Sequence, residues 1–495
     1  MKLRDCWRVA LGLSVVIGCQ RNENDSNLSR SPTFSGIELT IAAVDNPHLI
    51  PALNAQRGEW GASRKSQVTV RPDVVNTSSL QNVDVLVFAG ERLGELVDVG
   101  ALAVLPEALV RPPALPDVEG TSEPSSKPTP AEDPLKFADI LIPFKDLVSK
   151  YGAERMGLPL GSSGLVLVMN KTLFNQAKIE TKGPRTWKEL DELAKAVHSP
   201  ENPGIALAFT SDRDGVAGAI FLARAAALGL HKDQFSFLFD ADSMAPRIAS
   251  PPFVEALEAL IRLGKIGPEG VLGFDAQAAR HAFRSGKVAI LIDLAERADS
   301  WAGGFPITVA PLPGSDRVYE PASKVWEELK TPNRPTYLPA GGGWLVGVAA
   351  STSGKRREAA IDFALYLAGP EIDVRVRTTK EQLMLPIRNS QLSQGLLDPK
   401  ASTGVDARAW SEAVASTLTA PRIIPSLRIP ESSGYLADLD KALVAAANGE
   451  SAEVALRTVS QAWDERTVKL GKQRQLWHYR RSLNTLATKP QPPER

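Results

Sequence analysis

The chain has 495 residues, with 57 Lys and Arg against 57 Asp and Glu and so no formal net charge, and nothing in that balance suggests the clustered basic excess that nucleic-acid binding needs. Hydrophobic residues at 43% and charged residues at 23% are ordinary for a folded body, and the length allows two or three domains at roughly 150 residues each. The five histidines are scattered with no two at i and i+4, and no G-x-x-x-x-G-K-S/T loop occurs. A zinc-ligand helix and a nucleotide-hydrolysing loop are thereby excluded, and no metal or cofactor is expected.

The first element in the chain is a leader. Lys2, Arg4 and Arg8 precede an apolar stretch from Val9 to Ile17 that ends at Gly18, the layout of a secretory signal. It is far shorter than the roughly 20 residues of a bilayer span. Val16-Ile17-Gly18-Cys19 resembles the bacterial lipobox, which implies removal of residues 1–18 and acylation of Cys19; the alternative is an ordinary signal whose last residue is Cys. Cys6 and Cys19 are the two cysteines, so cleavage and acylation leave no thiol for a disulfide or a metal. Residues 19–36, rich in Asn, Ser, Asp and Arg, cannot bury enough surface to offset chain entropy. They read as a flexible tether holding a soluble body to a membrane, in the periplasm or at the cell surface.

The body begins with "IELTIAAV", alternating and β-branched, which predicts a strand. "NVDVLVFAG" predicts a second, followed by a helical "ERLGELVDVGALAVLP", and this alternation points to an α/β sheet with covered faces. Residues 111–134 are rich in Pro, Ser and Glu and read as an exposed disordered insertion. Strand "LVLVMN" follows, and then Thr186 and Glu189 form a capping box ahead of a helix whose buried stripe is Leu190, Leu193, Ala194 and Val197. "AARHAFRSGKVAILID" predicts a helix closed at Gly286 and a strand buried on both faces. "GGGWLVGVAAS" is a further strand, and "KRREAAIDFALYLAGPE" is a helix with Ala359, Ala360, Phe363, Ala364 and Leu367 on one side, stopped at Gly369-Pro370. From Ala401 the chain reads as helical throughout. Its basic "KQRQLWHYRR" reads as a solvated helix end, and residues 481–495 as a flexible tail.

The segments "GLPLGSSGLVLVMNKTLF", "GPRTWKELDELAKAV", "FRSGKVAILID", "ITVAPLPGS", "GGGWLVGVAAS", "KRREAAIDFALYLAGPE" and "LPIRNS" stand in the order found in the extracellular solute-binding proteins of bacterial ABC importers. The chain resembles their carbohydrate-binding group, which includes maltodextrin-binding proteins. The resemblance implies an α/β, two-lobed periplasmic-binding-protein type II fold with an interlobe cleft and hinge crossings near residues 161–164, Asp293 and residues 341–344. It divides the body into a first lobe of residues 37–160 plus 294–343 and a second of residues 165–292 plus 345–480. It further implies no enzyme activity, a monomer, a small-molecule partner of carbohydrate type and docking on ABC permease subunits. A sensor or an enzyme on the same fold, or a site for a peptide or polyamine, is the competing reading.

A sugar site needs flat aromatic faces and planar hydrogen-bonding groups, and the candidates lie at strand ends or crossings. Trp344 follows three glycines, as a platform in the cleft or as a core residue under the hinge. Trp301 follows Asp293 where relatives carry a cleft aromatic, and Asp293 itself ends an apolar strand, so it needs water or a partner. Asp45 and Asn46 follow the first strand and Glu91 and Arg92 the second, in loops that open towards a cleft if strands end there. Ser162 and Ser163 offer hydroxyls at the first crossing. Arg388 is a candidate donor, with a surface ion pair as the alternative. Gly161-Ser162-Ser163-Gly164 lacks the G-x-S-x-G spacing of a nucleophile elbow.

Overall fold

The computed structural model describes residues 32–71, 79–110, 133, 135–211, 215–378, 383–393 and 404–485. The predicted signal, Cys19, most of the tether, the Pro-rich insertion apart from Asp133 and the end of the tail lie outside the described residues.

In chain order the strands are β1 (Glu38–Ala43), β2 (Gln67–Arg71), β3 (Val85–Ala89), β4 (Lys150–Tyr151), β5 (Glu154–Arg155), β6 (Leu158–Gly161), β7 (Leu165–Asn170), β8 (Ile205–Ala206), β9 (Ile290–Leu294), β10 (Ile307–Pro311), β11 (Ser315–Glu320), β12 (Val325–Asn333), β13 (Thr336–Leu338), β14 (Trp344–Val348) and β15 (Ile423–Pro425). Two sheets carry the architecture: β2-β1-β3-β14-β6 and β10-β7-β9-β8. In the first, β1 runs parallel to β2 and β3, while β14 is antiparallel to β3 and β6. In the second, β7 is antiparallel to β9 and β10, and β8 is parallel to β9.

Strand composition explains the layering. β7 is buried along its whole length, and its alternation sends Val166 and Val168 to one apolar core and Leu165, Leu167 and Met169 to the other. The helix Trp187–Val197 starts at Thr186, whose hydroxyl accepts from the Glu189 N–H at 3.1 Å. The Glu189 carboxylate reaches back one residue beyond the cap, to the N–H of Arg185 at 2.7 Å. Leu190, Ala194 and Val197 are buried and Leu193 half-buried, as the spacing predicts. The helix Gly354–Ala368 buries all five of its predicted apolar residues against β14.

The partition between lobes differs from expectation. β10, inside residues 294–343, pairs with β7 of the second sheet, so the chain does not leave that sheet near Asp293. β14 instead enters the first sheet, with Trp344 opposite Ala89 and Val346 opposite Val87. Hydrogen-bond register decides membership of a sheet, and apolar runs alone do not reveal it. The helix Ala407–Leu418 returns to the second sheet by packing on β10. The region after residue 401 is not wholly helical, because β15 pairs in parallel with β13.

Both ends of the body extend further than composition suggests. Phe34 is buried and lies 6.1 Å from the Trp60 ring, so the fold begins before residue 37. At the other end the helix Lys472–Ser482 is no solvated end: Gln475, Leu476, His478 and Tyr479 are buried. Tyr479 Oη accepts from the N–H groups of Phe237 and Phe239, while the His478 ring meets Tyr151 Oη at 2.9 Å and Asp98 at 3.0 Å. Asn484, in the expected tail, donates to the Asp146 carbonyl at 2.8 Å.

Where β6 passes into β7 and where residues 340–343 pass into β14, backbones touch. The Gly90 N–H donates to the Gly343 carbonyl at 2.8 Å, Gly343 has φ +136, and a Cβ there would overlap the Gly161 carbonyl oxygen. A Cβ on Gly341 would likewise overlap Gly90 and Glu91 backbone. Glycine is required on both counts, contact and dihedral. Gly343→Ala is therefore expected to cost about 2–4 kcal/mol, read as a lower urea midpoint with an unchanged slope.

Candidate functional site

A cleft of about 310 Å³ opens beside these crossings. Its walls come from the loops after β1 and β3, the first crossing, the turn after β9, the start of the helix Val216–Gly229, the β13 to β14 connection and the helix Ser432–Ala447. A larger void of about 510 Å³, bounded by residues 230–238 and 420–428, has a mainly apolar lining and no comparable convergence of carboxylates. The first cleft is the better candidate because its few polar groups converge at strand ends.

Six of the ten residues predicted from sequence line this cleft: Asp45, Asn46, Glu91, Arg92, Ser163 and Trp344. Trp344 is 9% exposed, and its Nε1–H has no hydrogen-bond partner among the described residues. Buried donors left unmet are costly, and this one is enclosed rather than open to the cleft. Arg92 joins Asp45 at 2.5 Å and Glu95 at 3.0 Å.

The other four predicted residues serve the framework. Trp301 is fully buried, with its Nε1–H donating to Asp293 at 2.7 Å. Asp293, 1% exposed inside β9, also holds the Arg280 guanidinium through two bonds of 2.8 Å. Its need for a partner is met by the protein. Ser162 donates to the Gly342 carbonyl at 2.9 Å and braces one crossing on the other. Arg388 is neither in the cleft nor at the surface: it is fully buried, bonded to Asp373 at 2.8 Å and to the carbonyls of Leu135 and Ala368. Arg388→Ala takes from the buried Asp373 its ion-pair partner, leaving only Gln391 and the charge of Arg377, and is expected to destabilise by about 3 kcal/mol, measured by denaturant unfolding.

Sequence reading missed Glu296, Arg297, Tyr337, Ser426 and Asp440. Glu296 had a signal, since it stands two residues past the end of β9. Its two carboxylate oxygens accept from Ser163 Oγ and from the Gly164 N–H, at 3.4 Å for the latter. Ser426 and Asp440 had none, because they lie more than 80 residues beyond the crossings in the chain, and only the fold brings them to the cleft.

Three acids that line the cleft hold their protons above the ordinary carboxylate range, although each has an arginine nearby. Burial pushes the Glu296 carboxyl up to about 7, against the opposing pull of Ser163 and Arg297. Glu91 is also raised by burial, although Ser426 donates to it at 2.5 Å and backbone N–H groups of Ala340 and Gly341 assist. Asp45 is raised by burial, and Arg92 offsets that in part. Because Glu296 holds its proton more tightly folded than at its ordinary 4.5, the folded state keeps a proton that the unfolded chain has lost between those values, and stability falls as pH rises through that window. Glu296→Gln removes this loss. The variant is expected to gain on the parent by as much as about 2–3 kcal/mol between pH ~4.5 and pH ~7.5, followed by unfolding across pH.

The sequence pattern of bacterial extracellular solute-binding proteins matches residues 53–373. No curated protein matches the chain. Among solved structures, the sugar-binding protein MalE of Xanthomonas citri is 15% identical with a TM-score of 0.62, covering 88% of this chain and 98% of its own. Maltose-bound MalE3 of T. maritima is 17% identical with a TM-score of 0.60, covering 87% and 100%. An ABC transporter solute-binding protein of Agrobacterium radiobacter K84 in complex with ribitol is 17% identical with a TM-score of 0.60, covering 88% and 100%. At these identities the structures establish the shared two-lobed α/β fold, and the match over most of the chain establishes descent: this protein belongs to the bacterial extracellular solute-binding protein family.

Proposed function

We propose that the protein captures a carbohydrate or polyol in the cleft and presents it, with the lobes closed, to the permease of an ABC importer. The observation that carries this reading is the pairing of an aromatic face with planar acceptors: Trp344 and Tyr337 line the same cavity as Asp45, Glu91 and Glu296. Hydroxyls donate to carboxylates, and ring faces lie on aromatics. The similar structures agree in kind, one being bound to maltose and another in complex with ribitol. Closure follows from a guest that contacts both walls and so favours the closed form. In this reading residues 1–18 are removed, acylated Cys19 moors the body to a membrane in the periplasm or at the cell surface, and the chain works as a monomer.

Titration with maltose, D-mannitol and ribitol, followed by melting temperature, is expected to show stabilisation by at least one of them with no conversion of the sugar. Trp344→Ala is expected to weaken that binding about tenfold or more, equal to ~1.4 kcal/mol. Turnover of a bound sugar contradicts the reading.

A further inference from the structure

We propose that the helix Lys472–Ser482 is a strap across the back of the hinge, and that its bonds to the first lobe resist closure of the cleft, so that loosening them tightens the capture of a guest. The effect on capture rests on the carbohydrate reading above; the effect on the lobes themselves does not.

This helix grips both lobes. On one side its Leu476 and Tyr479 share an apolar core with Ile290 and Ile292 of β9. There Tyr479 Oη accepts from the Phe237 and Phe239 N–H groups, and Arg480 donates to the Ala241 carbonyl at 2.6 Å and to Asp242 at 2.9 Å. On the other side the partners stand in the first lobe. Asp98, at the end of the short helix after β3, receives the Arg474 guanidinium through two bonds and meets the His478 ring at 3.0 Å. Arg481 donates to the Tyr151 carbonyl at 2.6 Å and to the Glu154 carboxylate, while its own carbonyl accepts from the Gly152 N–H at 2.8 Å. Tyr151 and Glu154 stand on β4 and β5, from which the chain runs into β6 of the first sheet. The buried Arg428 guanidinium fixes the end of the strap, donating to the Ser482 carbonyl and, at 3.0 Å, to the Val148 carbonyl.

Its place is behind the hinge. No residue of this helix lines the cleft, whereas Tyr479 and Ser482 border the second void of about 510 Å³. The helix Val216–Gly229 begins at the cleft, which Gly218, Ala219 and Leu222 line, and after its 14 residues, roughly 20 Å, it delivers Leu230 to that second void. Leu147 of the first lobe and Phe235 of the second bound the void, and Ser426 lines both spaces, so the segment around it is the partition between front and back. Two lobes that turn about the crossings to narrow the front gap widen the one behind. The bonds from the strap to Asp98, Tyr151 and Glu154 cross that rear gap, and closure has to stretch or break them. Charge-assisted bonds of this kind are among the stronger ones, so they weigh towards the open form, and a guest that needs the closed form binds less tightly by the fraction of closed chain they remove.

Two variants of the full-length chain cut the strap from the first lobe: Asp98→Ala, which loses the Arg474 and His478 bonds together, and the milder double change Arg474→Ala with Arg481→Ala, which spares the buried Tyr151 and His478. Arg408→Ala, which loses only a pair with Glu412 inside one helix, is the control. Each is checked for cooperative melting, and the double variant decides if Asp98→Ala does not fold. Interlobe distances come from spin labels on the helices Ile50–Arg64 and Trp187–Val197, with both cysteines changed to Ser, and affinities from calorimetric titration with whichever of maltose, D-mannitol and ribitol stabilises the parent. Without guest, the strap variants are expected to give a broader distribution moved towards the parent's guest-bound one, and the sugar is expected to bind them about fivefold more tightly, with the control like the parent on both counts. Guest-free distributions identical to the parent's, or broader ones without tighter binding, overturn the strap. If none of the three sugars binds, the carbohydrate reading falls and the guest-free distances alone decide: broadening supports the strap and identity overturns it.

Discussion

Everything in this fold hangs on backbone meeting backbone at the crossings. Gly343 lies against Gly161 and Gly341 against Gly90, with no room for a Cβ at either contact. At these approaches β14 stands between β3 and β6, while β6 leads through Ser162 to Gly164 into β7 of the second sheet. The loops that follow β1, β3 and β9 are thereby brought to a common cleft. A few small residues that absorb dihedral change also suit a hinge, and the side chains flanking them, Ser162 on Gly342 and Ser163 on Glu296, tie the crossings to the cleft wall.

The cleft's chemistry follows from that placement. Strand ends deliver polar residues to the cleft, where the buried Glu296 carboxylate loses hydration and is held by Ser163 and the Gly164 N–H. Glu296 is the pivotal case: it faces the cavity and its oxygens hold the first crossing. On the proposed reading, contact with a guest at this carboxylate bears on the hinge directly, and Trp344, whose backbone is paired with Gly161, is a second point of contact in the same region.

Much of this was legible in the sequence. Asp45, Asn46, Glu91, Arg92, Ser163 and Trp344 were readable because each stands at the end of a strong apolar strand or beside a glycine run, and strand ends are where α/β clefts open. The failures share a cause. Asp293 and Arg388 look like exposed function in one dimension because their partners, Arg280 and Asp373, are 13 and 15 residues away and only the fold brings them together. Trp301 has the look of a cleft aromatic for the same reason, since its partner Asp293 is met only in the fold. The assignment of β10 and β14 to lobes failed because sheet membership is a matter of register, which apolar patterning does not encode between distant strands. The basic C-terminal helix is amphipathic in a way its charge masked: His478 and Tyr479 point inward and tie it to Asp98 and Tyr151 on one side and to residues 237–239 on the other.

The central claim is that two bodies joined at glycine crossings close on a guest. Its most direct measurement is the distance between them, by pulsed electron spin resonance on labels at exposed Ala55 and Lys195, in the helices Ile50–Arg64 and Trp187–Val197, in a chain carrying C6S and C19S. A saturating sugar or polyol that raises the melting temperature should shift the distance distribution and narrow it. The same distribution with and without that ligand would contradict the account.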